Sequence, residues 1–193
     1  MRLRRVVVQF STACMAVSLL AGSAIAAEGA AESKDPVKRG AYLVNFGGCN
    51  DCHTPKLITS KGPVPDASRL LSGHWAATPT PPLPPSDVIG RQPNQWAAIT
   101  NSDFTAWAGP WGISYAANLT PDAATGLGGW NADQFVKTIR SGRHLGTGRR
   151  LLPPMPSSDI AFLNDPDLKA IFAYLKSIKP IQNQVPAPMP PAK

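Results

Sequence analysis

Charged side chains are scarce in this 193-residue chain, at 16% of positions, and acidic ones are scarcer, with 12 Asp and Glu against 19 Lys and Arg. Sparse charge beside 43% apolar residues excludes an intrinsically disordered chain, which combines low hydrophobicity with high net charge. The formal charge of +7 is scattered apart from one arginine cluster, so no nucleic-acid surface is marked out. Cysteine is rarer still. Cys14, Cys49 and Cys52 are the whole complement, too few to staple a fold of this size with disulfides. Internal repeats are absent, and few stretches alternate as strands do, so the expected fold class is all-α with long loops rich in Pro and Trp. Proline, by contrast, is abundant, with 21 residues.

Residues 1–26 have the composition of an export signal. Arg2, Arg4 and Arg5 precede an apolar stretch from Val6 to Ala21, and Ala24-Ile25-Ala26 forms a small-x-small cleavage site. A retained membrane anchor is the alternative, but Gln9, Ser11 and Thr12 interrupt the stretch, which falls short of the ~20 apolar residues of a span. Removal would take Cys14 with it and leave a soluble exported chain with a flexible N-terminus at 27–34. Asp35-Pro36 then gives an N-cap and a first-turn proline for a helix to about Phe46, stopped by Gly47-Gly48. From Thr54 to Pro121 there are 11 prolines in 68 residues and little helical periodicity, which reads as ordered loop. All five tryptophans (Trp75, Trp96, Trp107, Trp111 and Trp130) fall in or just after that stretch, and their apolar area requires them to pack. Asn131 and Gln134 form a capping box for a helix that ends at Gly142. Ser157 or Ser158 caps a short helix through Leu163. Leu168, Ile171, Phe172, Leu175 and Ile178 recur at helical spacing behind Asp165-Pro166, and Pro180 closes that helix. Residues 181–193 are a Pro-rich extended tail.

The chemistry sits in Cys49-Asn50-Asp51-Cys52-His53. Cys-x-x-Cys-His is the c-type haem attachment pattern: two thiols two residues apart add to the two vinyl groups of one porphyrin, and the next histidine is held beneath the iron. Zinc ligation is one alternative, although only His74 and His144 remain to complete a site. A thioredoxin-like redox pair is another, but that pair follows a strand in a βαβ unit, whereas this one follows a helix. One covalent haem c with its iron is therefore the expected cofactor. For the sixth coordination position the candidates are Met155, Met189, His74 and His144. Met155 leads, because Pro153, Pro154 and Pro156 brace its backbone at little entropic cost; Met189 lies in the tail and is expected to be solvated. Arg140, Arg143, Arg149 and Arg150 place four positive charges just before the Met155 loop. They are either a solvated face or a docking rim that steers an acidic partner.

Arg39-Gly40-Ala41-Tyr42-Leu43 leading into Cys49–His53-Thr54-Pro55 resembles class I c-type cytochromes of the bacterial periplasm. Asn118-Leu119-Thr120-Pro121-Asp122, Thr125-Gly126-Leu127-Gly128-Gly129-Trp130, Pro153-Pro154-Met155-Pro156 and the last helix sharpen the likeness to haem domains in cytochrome subunits of membrane-bound alcohol and aldehyde dehydrogenases. The resemblance covers roughly residues 36–180. It implies a cytochrome c domain over 35–180, thioethers at Cys49 and Cys52, axial ligands at His53 and Met155, and packing of the first helix on the last. It also implies a periplasmic electron carrier rather than an enzyme, taking electrons from a dehydrogenase and passing them to an oxidase or another cytochrome of the respiratory chain. A haem-containing oxidoreductase of peroxidase type is the alternative. The chain departs from those subunits in carrying one haem motif rather than three. A long insertion at 54–117 separates His53 from Met155, and it is expected to cover one haem edge.

Overall fold

The Asp35 carboxylate accepts from the Val37 amide at 2.9 Å and from the Lys38 amide. Pro36 fills the first turn, where a missing N–H costs nothing. Helix α1 therefore runs Pro36–Phe46. The structure, a computed structural model, describes residues 34–191; the expected export signal and nearly all of the expected flexible N-terminus lie outside the described residues. Helix α2 (Cys49–His53) follows directly. Helix α3 (Ala132–Ser141) begins with the reciprocal capping box of Asn131 and Gln134 and stops at Gly142 in the left-handed conformation. Helix α4 (Ser157–Ile160) is a single turn, and α5 (Asp165–Ser177) is capped by the Asn164 side chain.

One apolar cluster joins these helices. Leu43 and Val44 of α1, Phe135 and Ile139 of α3, and Leu168, Ile171, Phe172 and Leu175 of α5 meet Leu71 and Leu127 from the loops. Each such side chain contributes about 1.5–3 kcal/mol when fully buried. Helix α1 lies against α5 at Gly40, whose missing Cβ leaves room for the Ala170 carbonyl and the Tyr174 Cβ. Arg39 closes the crossing with two bonds to the Asp167 carboxylate, at 2.8 and 3.1 Å.

The all-α expectation is overturned. Helix takes 31% and strand 15% of the described residues, and two small sheets lie within the stretch read as loop. Strands β1 (Lys56–Thr59) and β2 (Gly62–Pro65) pair as an antiparallel hairpin; β3 (Ile99–Thr100), β4 (Ala106–Gly109) and β5 (Gly112–Tyr115) form a three-stranded antiparallel sheet in that order. The first hairpin buries neither face, so no alternating pattern is selected along it. Its prolines, Pro63 and Pro65, are tolerated because β2 is an edge strand. The β4–β5 turn is Pro110-Trp111 followed by Gly112 at φ 94°, outside the Asn-Gly and Asp-Gly pairs that signal a hairpin in sequence. Trp96 also departs from expectation, being 68% exposed. The end of the chain is extended, as read, but not free. Buried Asn183 donates to the Ser72 and His74 carbonyls, both at 2.8 Å, and Met189 exchanges two backbone hydrogen bonds with Ile113.

Candidate functional site

Gly48 turns the chain from α1 into α2. It sits at φ 64°, and the Asp51 carboxylate lies where a side chain would otherwise project. This tight corner starts the next helix at Cys49, so Cys49 and Cys52 fall three positions apart on one helical face and His53 follows. Both thiols are free and half-buried, and Cys49 packs on the apolar cluster. Burial, with the Asp51 carboxylate adding to it, pushes both thiols up from their ordinary range. Thioredoxin-like dithiols need the opposite shift, so the redox-pair alternative finds no support here.

His53 is buried. Its Nδ1 lies 2.8 Å from the Ala117 carbonyl oxygen, which can only accept; Nδ1 therefore carries the proton and Nε2 keeps its lone pair. Desolvation holds the imidazole below its ordinary pKa, against the pull of the Ala117 carbonyl, so the ring is in the neutral form that ligates iron. A carbonyl behind a ligating histidine also fixes the ring's orientation.

Most of the carbonyls at the end of α2 are engaged. Lys56 Nζ donates to the Asn50 and Asp51 carbonyls at 3.0 and 2.9 Å, and to that of Thr54. The Gly73 amide donates to the His53 carbonyl at 2.7 Å. Thr54, fully buried, donates its hydroxyl to Asn50 and accepts from the Leu71 amide. Gly73, at φ 77°, passes so close to Ala116 and Ala117 that a Cβ would strike their backbone. Sequence reasoning missed these supports. Lys56 had a signal, a basic residue just beyond a helix end; the Ala117 carbonyl had none, because a backbone acceptor has no residue signature.

Met155 is half-buried in the loop before α4. Its amide donates to the Leu152 carbonyl at 3.3 Å, and its carbonyl accepts from Ser157 at 2.8 Å. The loop meets the three-stranded sheet where Ser114 donates to the Pro153 carbonyl at 2.5 Å. Residues 114–117 thus bond to both the Met155 loop and the His53 ring. Two of the other candidates, Met189 and His74, contact the same stretch through Ile113, Tyr115 and Ala116, and His144 lies apart. Met189 is 44% exposed, with its sulfur accepting from the Tyr115 hydroxyl at 3.4 Å. His74 is fully buried, its Nδ1 against Thr105 Oγ1 at 2.7 Å and its ring tilted on Tyr115. His144 sets its ring edge-on to Trp130 in the wall of a cavity of about 410 Å³, which none of Cys49, Cys52, His53 or Met155 lines.

The arginines divide. Arg140 is committed to the fold, donating to the Ala161 and Leu163 carbonyls and to Asp165. Arg143, Arg149 and Arg150 stay on one loop, where Arg143 and Arg150 face each other across a β-bridge. Among the described residues no group of three or more His, Cys, Asp or Glu could hold a metal ion by itself, which leaves zinc without a ligand set. Two protonated thiols, a neutral imidazole with a fixed tautomer and a braced thioether do fit the needs of a covalently attached haem iron.

No family model matches the chain. Among curated proteins it is 32% identical over 138 residues to the gluconate 2-dehydrogenase cytochrome c subunit of Pantoea cypripedii, covering 72% of this chain and 22% of that one. It is 26% identical over 182 residues to the fructose dehydrogenase cytochrome subunit of Gluconobacter japonicus, covering 91% and 29%. It is 35% identical over 80 residues to the cytochrome c subunit of the quinone alcohol dehydrogenase of Gluconobacter oxydans, covering 41% and 16%. The chain thus spans less than a third of the length of each of these relatives. It is a cytochrome c homologue. More narrowly, it is similar to the cytochrome c subunits of dehydrogenases.

Proposed function

We propose that this protein is a monohaem electron carrier of the bacterial periplasm, with thioethers at Cys49 and Cys52 and axial ligands at His53 and Met155. The observation that carries the reading is the His53 Nδ1 contact with Ala117, 2.8 Å long, beside two thiols on the same helix. A haem bound there supplies one-electron exchange between ferric and ferrous iron. Cys49 and Cys52 fix its position, and Ala117 holds the His53 proton away from the ligating nitrogen. Met155 would be the further protein ligand to such an iron and would thereby keep out water and small substrates. That closure favours a carrier over a peroxidase-type enzyme, and a thioether ligand raises the potential.

The donor is a dehydrogenase, in keeping with relatives named as dehydrogenase cytochrome subunits, and the acceptor is an oxidase or another cytochrome. Among the described residues no helix is long and apolar enough to cross a membrane. The test is expression in a host with haem-attachment machinery, then denaturing electrophoresis and a haem peroxidase stain. One stained band is expected from the wild type, and a colourless one from the Cys49→Ala, Cys52→Ala double variant. A colourless wild-type band would overturn the reading.

A further inference from the structure

We infer that Ser114 is the positioning residue that holds the Met155 loop in ligating register; the inference rests on Met155 as the axial ligand proposed above. Ser114 lies on β5 and is 7% exposed. Its oxygen has three neighbours: the Trp111 indole nitrogen at 3.2 Å, the Trp107 carbonyl at 3.4 Å and the Pro153 carbonyl at 2.5 Å. A hydroxyl has one proton to give. The indole can only donate, so it occupies a lone pair of the serine oxygen, and the serine proton goes to the nearer carbonyl, that of Pro153. The result is a directed chain from Trp111 through Ser114 to the backbone two residues before Met155.

That contact has no backup. Pro153, Pro154 and Pro156 have no amide proton and the Met155 amide turns inward to the Leu152 carbonyl, which leaves the loop few donors for pairing with a strand. Among the described residues, Ser114 makes the only hydrogen bond that joins residues 152–156 to anything beyond the loop and α4. The same stretch of chain carries Ala117, the acceptor for the His53 ring. Three residues of backbone span at most about 11 Å. One short segment therefore fixes the backbone beside one axial ligand and the ring of the other, so the spacing between them is set by residues 114–117 and not by the loop alone.

Nothing in the sequence marks this serine. It is one small polar residue in Gly112-Ile113-Ser114-Tyr115, 39 positions before its partner.

The test is competition by imidazole for the ferric holoprotein, read as loss of the far-red sulfur-to-iron band. Removing the hydroxyl deletes one net hydrogen bond from the Met-bound state, so Ser114→Ala should bind imidazole about two- to tenfold more tightly. Ser114→Thr, which keeps the hydroxyl, should bind near the wild-type value. If Ser114→Ala does not accumulate as holoprotein, Ser114→Thr against Ser114→Val makes the same comparison at equal side-chain shape, and Val should show the tighter binding. A purely structural serine would lower the thermal midpoint by circular dichroism and leave imidazole affinity unchanged, and that result would overturn the inference. Met155→Ala is measured alongside. Loss of its far-red band with unchanged affinity in Ser114→Ala defeats the role of Ser114 alone; survival of the band defeats the ligand assignment beneath it.

Discussion

Lys56 illustrates how much of the candidate site depends on a single side chain outside the motif. Its ammonium caps three carbonyls at the end of the helix that carries Cys49, Cys52 and His53, where the helix dipole favours a cation. Burial lowers its pKa, and the Asp103 and Asp51 carboxylates draw it back. Lys56→Met should cost about 1–2 kcal/mol in chemical denaturation; an unchanged midpoint would show the cap to be idle. His74 gives a pH signature. Burial depresses its pKa, against Asp103 and the Thr78 backbone, so the unfolded chain takes up the proton first as pH falls. Unfolding free energy should therefore decline as pH drops below about 6.5 and level off below the folded-state pKa. His74→Gln should flatten part of that slope in urea titrations between about pH 7.5 and 5, and an identical slope would exclude His74 as a source. The haem motif was legible at this scale because five adjacent residues carry it. The cap at Lys56 is local and was signalled by a basic residue just beyond the helix end, whereas the acceptor for His53 depends on where the chain returns 64 positions later, which local sequence does not encode.

At the scale of elements, the crossing of α1 and α5 depends on Gly40. A side chain there would run into the Ala170 carbonyl and the Tyr174 Cβ, and the backbone cannot yield without parting the two helices that bury Leu43, Val44, Leu168 and Leu175. Gly40→Val should cost about 3 kcal/mol, whereas Gly129→Ala, at a position with open space around it, should stay within about 0.5 kcal/mol. Thermal unfolding of the two variants checks the contrast; similar midpoints would mean that the helices adjust freely. Helices α1, α3 and α5 were readable from their caps, and α5 also from the 3.6-residue stripe of Leu168, Ile171, Phe172 and Leu175. The five strands were not. The β1–β2 hairpin has no buried face to impose alternation, and Ala106, Ala108, Gly109 and Gly112 give β4 and β5 little apolar contrast. Their order comes from the contacts of Ser114, Tyr115 and the returning tail at Met189.

Over the whole molecule, positive charge is concentrated on the loop that leads to Met155. Arg140 belongs to the fold through Asp165 at 2.6 Å, whereas the Arg143 and Arg149 side chains bond within their own loop, to the Gly148 and Arg150 carbonyls, and Arg150 lies beside them. If they steer an acidic redox partner, transfer rates should fall as salt rises. Arg149→Glu with Arg150→Glu should slow transfer at low salt without changing the haem spectrum. Rates indifferent to both would reduce the loop to a solvated face.

Whether His53 and Met155 together hold the iron of a carrier can be read from the far-red absorption of the ferric holoprotein. The sulfur-to-iron band should be present in the wild type and in Met189→Ala, whose thioether is engaged by Tyr115, and absent from Met155→Ala. A band that survives Met155→Ala and disappears with Met189→Ala would refute that ligation, as would a wild-type spectrum of bis-histidine form.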